Sequence, residues 1–174
     1  MYSLLYHTPE PYLAFYIFIT LVEDYQLCDI YDKDLRGVTK HCKAITMLIN
    51  WELPNLHLHF TRNVIDSQMF AMDWILTLYS VLIPYDCHHI FLTNFMKEGW
   101  IYFYKVVLNF LKSIEKELCN EDELCDVLIT LKTLATPARN WGVSPPWEDK
   151  GLIEYFKNIF WKKKEEINWE GHLE

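Results

Sequence analysis

Six apolar side chains between residues 35 and 53 share one register. Leu35, Val38, Cys42, Ile45, Ile49 and Leu53 recur at steps of three and four, and Pro54 follows at once. That spacing places all six on one face of an α-helix, with Lys40 and Lys43 off it. The proline ends the helix, because it lacks the N–H and its ring collides with the preceding turn. Similar stripes and stops recur along the chain, and no stretch holds a sustained period-two alternation closed by hairpin turns. The pattern predicts an all-α fold, an irregular bundle of about seven or eight helices.

Thr8 and Pro9 read as an N-cap and first helical position. The helix they open would run to about Gln26, apolar nearly all round and therefore buried. The helix carrying the six-residue stripe is expected to begin near Asp32 or Asp34. After Pro54, "NLHLHFTRNVID" reads as a short helix. "FAMDWILTLYSVLIP", from Phe70 to Pro84, holds a single charge, Asp73, and reads as a central core helix with Asp66 and Ser67 as candidate caps. Pro84 would open another helix through Ile90, Phe91, Phe95 and Met96, closed by Gly99. Trp100 to Leu118 reads as one long helix. Asn120 and Glu123 resemble a capping box ahead of Leu124, Val127, Leu128, Leu131 and Leu134, and Pro137 stops that helix. A last helix, about Asp149 to Lys164, would turn Leu152, Ile153, Phe156 and Phe160 inward.

The formal net charge is −8. Phosphate contacts need clustered Lys and Arg, so nucleic acid is excluded as a partner class. The five cysteines are odd in number and never form C-x-x-C, which reads as reduced, intracellular thiols used mainly as small hydrophobes. The apolar run Tyr12 to Val22 falls far short of the roughly 20 residues that span a bilayer. No basic n-region precedes it, so neither a signal peptide nor a transmembrane segment is expected.

Chemistry is sparse. Cys87-His88-His89 raises a metal or thiol-nucleophile reading, yet neighbouring helical residues point about 100° apart and cannot converge on one ion. His57-x-His59 converges on a strand but diverges on a helix. There is no G-x-S-x-G, P-loop or G-x-G-x-x-G pattern, and most acidic residues sit at helix starts, where the dipole explains them. No catalytic, metal or cofactor-binding residue is assigned, and no cofactor is implied.

A set of collinear motifs nevertheless stands out. Tyr25, Leu27 and Tyr31 fit "Y-x-L-x-x-x-Y", and Pro54, Leu56, His59 and Phe60 fit "P-x-L-x-x-H-[LF]". Phe70, Ala71, Trp74, Ile75, Leu76, Thr77, Leu78, Tyr79, Ser80, Ile83 and Pro84 fit "[FY]-A-x-x-W-[FIL]-L-T-L-[FY]-[SA]-x-x-[LI]-P". Glu98 and Gly99 then precede a long apolar stretch. In this order they resemble the C-terminal half of a TBC domain, the Rab GTPase-activating module. One departure stands out: Ile90, Phe91, Leu92 and Thr93 replace the family's "R-[IV]-W-D".

The resemblance implies that 9–136 is the C-terminal TBC lobe, after a lead-in at 1–8. A Pro/Gly loop at 137–148 and a terminal helix with a polar tail at 149–174 would follow. It implies a GTP-bound Rab-type small GTPase as partner, a role in vesicle trafficking, and a cytoplasmic location with peripheral membrane recruitment through partners. The family supplies an arginine from "I-x-x-D-x-x-R" and a glutamine from "Y-x-Q" in trans, the first neutralising charge on the transferring phosphoryl and the second positioning water. Both motifs lie in the N-terminal half. Here "IYDKDLR" has the wrong spacing around Arg36, and Tyr25 abuts Gln26. The expectation is a lobe inactive alone, either a fragment or a product that lost the catalytic half. A finger-less helical scaffold and, far behind, a thiol hydrolase using Cys87 are the alternatives.

Overall fold

The computed structural model describes residues 4, 5, 8, 10–80, 83 and 85–135, and the side chains of all of these except 85–87 and 133–135. Nine helices run from Pro11 to Ala135: α1 (Pro11–Asp24), α2 (Leu27–Ile30), α3 (Arg36–Glu52), α4 (Pro54–Arg62), α5 (Gln68–Thr77), α6 (Tyr85–Glu98), α7 (Trp100–Ser113), α8 (Glu115–Cys119) and α9 (Leu124–Ala135). No strand occurs among the described residues, so the all-α expectation is met. The loop at 137–148, the helix and tail at 149–174, and the stops Pro84 and Pro137 lie outside the described residues.

The stripe on α3 is the centre of the bundle. Val38, Cys42, Ile45 and Ile49 are each 1% exposed, and α3 packs against α2, α4, α5 and α7 at once. Its entry is tight: a Cβ on Gly37 would sit 2.5 Å from the Asp29 carbonyl oxygen, so only glycine lets α3 start against the backbone of α2. The helix starts at Arg36, later than either aspartate expected to open it, with Leu35 as N-cap in the left-handed region. At the other end Leu53 leaves the helical region and Pro54 becomes the first residue of α4, as the proline rule requires.

Five expectations are corrected. α1 begins at Pro11 with Glu10 as N-cap, not at Pro9. It is also not buried all round: Ala14 and Leu21 face the core, while Tyr12, Leu13, Phe15 and Tyr16 are 46–67% exposed. The stretch from Phe70 to Pro84 is not one helix, because α5 stops at Thr77, and Leu78 and Tyr79 both have positive φ. The segment Trp100 to Leu118 is two helices: Ile114 (φ −114°, ψ 11°) separates α7 from α8. Asn120 closes α8 as its C-cap instead of opening α9, its N–H reaching the carbonyls of Glu117 and Leu118.

Candidate functional site

The motif residues converge on one aromatic core. Phe60 lies 5.7 Å from Phe70, ring centre to ring centre, Phe70 lies 5.2 Å from Trp74, and Trp74 meets Tyr79 at 5.8 Å and Phe110 edge-on at 5.6 Å. Tyr79 continues to Phe91 and Phe103, and Phe91 to Phe95, which meets Trp100 edge-on. Tilted and edge-on pairs of this kind add roughly 0.5–1.5 kcal/mol each beyond area burial.

The break after α5 explains why this stretch is so particular. Leu78 and Tyr79 take left-handed backbone angles that cost a non-glycine residue on the order of 1–2 kcal/mol each. Their surroundings offset that cost. The Tyr79 ring is wedged between Trp74, Phe91 and Phe103, and the Leu78 carbonyl accepts a hydrogen bond from Nε2–H of buried His88 at 3.0 Å. Tyr79 is fully buried, which pushes its hydroxyl pKa well above the ordinary value, and that hydroxyl has no hydrogen-bond partner among the described residues. Leu76 and Thr77 sit half-buried on the other side, with the Thr77 hydroxyl donating to the Asp73 carbonyl.

The tyrosine-rich segment acts as a double latch. Tyr25 donates its hydroxyl to the Met96 carbonyl at 2.5 Å, packs its ring on Phe95, and receives the indole N–H of Trp100 on its own carbonyl at 3.0 Å. Tyr31 donates to the Leu76 carbonyl at 2.7 Å, and Leu27 between them is buried. One short segment is thereby fastened to the α6–α7 corner and to the end of α5. Gly99 makes that corner: at φ 63° and ψ −143° it caps α7, its carbonyl accepting from Tyr102 and Phe103, beneath the Tyr25 ring. Glu98 beside it pairs with Lys105 at 2.6 Å.

Ser67 is an unused cap. Its buried hydroxyl accepts from Thr46 at 2.8 Å and donates to the Cys42 carbonyl at 2.9 Å, tying α5 to α3, while Asp66 receives the Gln68 N–H. The sequence reading missed His41, which stacks on Trp100 at 3.8 Å and shares a hydrogen bond with the Tyr104 hydroxyl at 2.7 Å. Its position three residues after Val38 and four before Ile45 was the available signal. Burial, with Lys40 adding repulsion, lowers its pKa to about 4.

The comparisons with known proteins fit this assembly. A profile of the Rab-GTPase-TBC domain matches residues 1–119. The chain belongs to that family. It is 27% identical over 109 residues to the Rab GTPase-activating protein eat-17 of Caenorhabditis elegans, covering 63% of this chain and 12% of that protein. Over 84 residues it is 32% identical to the GTPase activating protein Gyp51 of Schizosaccharomyces pombe, covering 48% and 8%. Over 116 residues it is 28% identical to TBC1 domain family member 2B of Mus musculus, covering 67% and 12%. The chain thus spans only 8–12% of the length of these relatives.

The other candidates find ordinary places in this TBC chain. His88 serves the Leu78 carbonyl and stacks on Phe91, whereas its neighbour His89 is exposed. The Cys87 side chain lies outside the described set. Cys42 is buried and its thiol pKa is pushed up to about 11, first by burial and then by Asp66, which makes it inert. No group of three metal-ligating side chains forms among the described residues, and none of their helices is long and apolar enough to cross a membrane.

Proposed function

We propose that this chain is the C-terminal lobe of a TBC-type GTPase-activating protein, that it engages a GTP-bound Rab in cytoplasmic membrane trafficking, and that it carries no catalytic finger. The observation that carries the reading is the family match over residues 1–119, which coincides with the motif residues assembled around Trp74 and Tyr79. The relatives' names support the Rab-directed role, since the C. elegans protein is named as a Rab GTPase-activating protein.

Two features support leaving the fingers out. Arg36 sits at the start of α3, 78% exposed, in surface ion pairs with Asp32 at 3.0 Å and Asp34 at 3.9 Å, and its place in the chain is that of an ordinary first-turn residue. Gln26 occupies a left-handed N-cap position between α1 and α2, set by the turn it makes. Neither has the spacing of the family motif. Catalysis by this lobe therefore needs an arginine and a glutamine brought by another segment, and the lobe's own contribution is shape.

The test adds the chain to a panel of GTP-loaded Rab proteins and follows phosphate release alongside equilibrium binding. Saturable binding to at least one Rab, with hydrolysis at its intrinsic rate, is expected. A large acceleration that Arg36→Ala abolishes would place a finger in this chain and overturn the proposal.

A further inference from the structure

The last turn of α5 is finished by a side chain from another part of the chain. The carbonyls of Trp74, Ile75 and Thr77 take the N–H groups of Tyr79, Leu78 and Ser80 at 3.1, 3.3 and 2.9 Å. The Leu76 carbonyl takes the Tyr31 hydroxyl, at 2.7 Å. Terminal carbonyls need such donors, and together they carry the negative end of the helix dipole. Tyr31 thereby helps to close α5 just before Leu78 and Tyr79 turn left-handed. Partial burial raises its pKa above the ordinary value, which keeps the donated proton in place.

The same tyrosine is open to solvent. It is 56% exposed and begins the non-helical link, Tyr31 to Leu35, between α2 and α3. Tyr12 and Tyr16 are also exposed but lie inside the hydrogen-bonded ladder of α1, while Tyr79 and Tyr102 are buried and Tyr25 and Tyr104 half-buried. Among the described tyrosines, Tyr31 alone is both exposed and outside a helix. An enzyme acting on the hydroxyl needs that combination, because a helical tyrosine must first unwind to enter an extended-peptide groove. The surroundings would not shelter an added phosphate: Asp29, Asp32 and Asp34 are close in sequence, Arg36 already pairs with Asp32, and the hydroxyl faces a helix C-terminus. Lys33 is the one cation within the link.

We propose that Tyr31 is a phosphorylation-sensitive latch, modified by a tyrosine kinase and holding the α2–α3 link to the end of α5 only while its hydroxyl is free. In the transfer the phenolic oxygen bonds the γ-phosphorus of ATP as the bond to ADP breaks, and the phenolic proton leaves to the kinase's base. The product has no phenolic proton to give the Leu76 carbonyl, and it sets a phosphate dianion against the negative end of the α5 dipole. The link then separates from α5, whose last turn loses one of its closing donors. This latch rests on the hydrogen bond and the exposure of Tyr31 and is independent of the GTPase assignment.

Hydrogen exchange of the full chain tests it, with phosphotyrosine placed at position 31 during synthesis and Tyr31→Phe alongside. The amides from Trp74 to Ser80 are expected to exchange about fivefold faster in Tyr31→Phe, the factor that one lost hydrogen bond is worth. They should exchange faster still in the phosphorylated chain, with helical circular dichroism near wild type. A panel of tyrosine kinases supplied with ATP and magnesium should modify Tyr31 of the folded chain before Tyr12 and Tyr16, as read by peptide mapping. Exchange left unchanged by the phosphate, or slowed because Lys33 or Arg36 captures it, would overturn the proposal. Failure of every kinase in the panel to modify Tyr31 ahead of the α1 tyrosines would overturn it as well.

Discussion

Replacing Gly99 separates backbone strain from packing at the corner between α6 and α7. Gly99 has φ 63° and ψ −143°, close to a region that only glycine populates readily. Space is not the obstacle, since an added Cβ would meet only the Tyr25 ring at 3.7 Å, an ordinary contact. The cost of Gly99→Ala is therefore conformational, about 1–3 kcal/mol. For a chain of this size that corresponds to a fall in Tm of roughly 2–4 °C per kcal/mol. D-alanine at the same position takes the mirror-image preference, for which these angles are ordinary extended backbone. It should be neutral or stabilise by about 0.4–1 kcal/mol through a less free unfolded chain. Urea unfolding followed by tryptophan fluorescence measures both variants, the second made by semisynthesis. Equal losses for L- and D-alanine would refute the strain argument.

Val64 is the left-handed residue just after α4, 77% exposed and β-branched, in a turn where the Ile65 N–H reaches back to the Phe60 carbonyl at 2.8 Å; Val64→Gly is expected to raise stability by about 1 kcal/mol in the same unfolding assay, the relief of a misplaced side chain exceeding glycine's entropy cost. His41 has a folded pKa of about 4 against an ordinary 6.5, so its share of stability is complete above about pH 6.5 and is lost as the pH falls toward 4. His41→Phe should flatten the unfolding midpoint against pH across that window relative to wild type, and an unchanged slope would contradict the neutral, stacked imidazole.

What the sequence disclosed was local. The α3 stripe and its stop at Leu53–Pro54 follow from periodicity and from proline's missing donor, and both appear where expected. What it concealed depends on partners far along the chain. Leu78 and Tyr79 are ordinary helix formers by propensity, and only Trp74, Phe91, Phe103 and His88 make their left-handed turn affordable. Tyr25 and Tyr31 stand out as motif tyrosines, but what they do is hidden until their carbonyl partners, 71 and 45 residues away, are seen. The exposed face of α1 misled for a related reason: an apolar helix declares that it needs cover without saying which element provides it. The motif spacing carried the family because it records those long-range constraints together.

We propose that this chain supplies a Rab-engaging TBC scaffold while the chemistry comes from elsewhere. The most direct measurement joins it downstream of an N-terminal TBC half bearing "I-x-x-D-x-x-R" and "Y-x-Q" and follows phosphate release from GTP-loaded Rab proteins, with the unjoined chain in parallel. Strong acceleration by the joined protein, lost on mutating the supplied arginine, is expected, with none by the chain alone. A folded, joined protein without activity on any Rab of the panel, or acceleration by the chain alone, would contradict it.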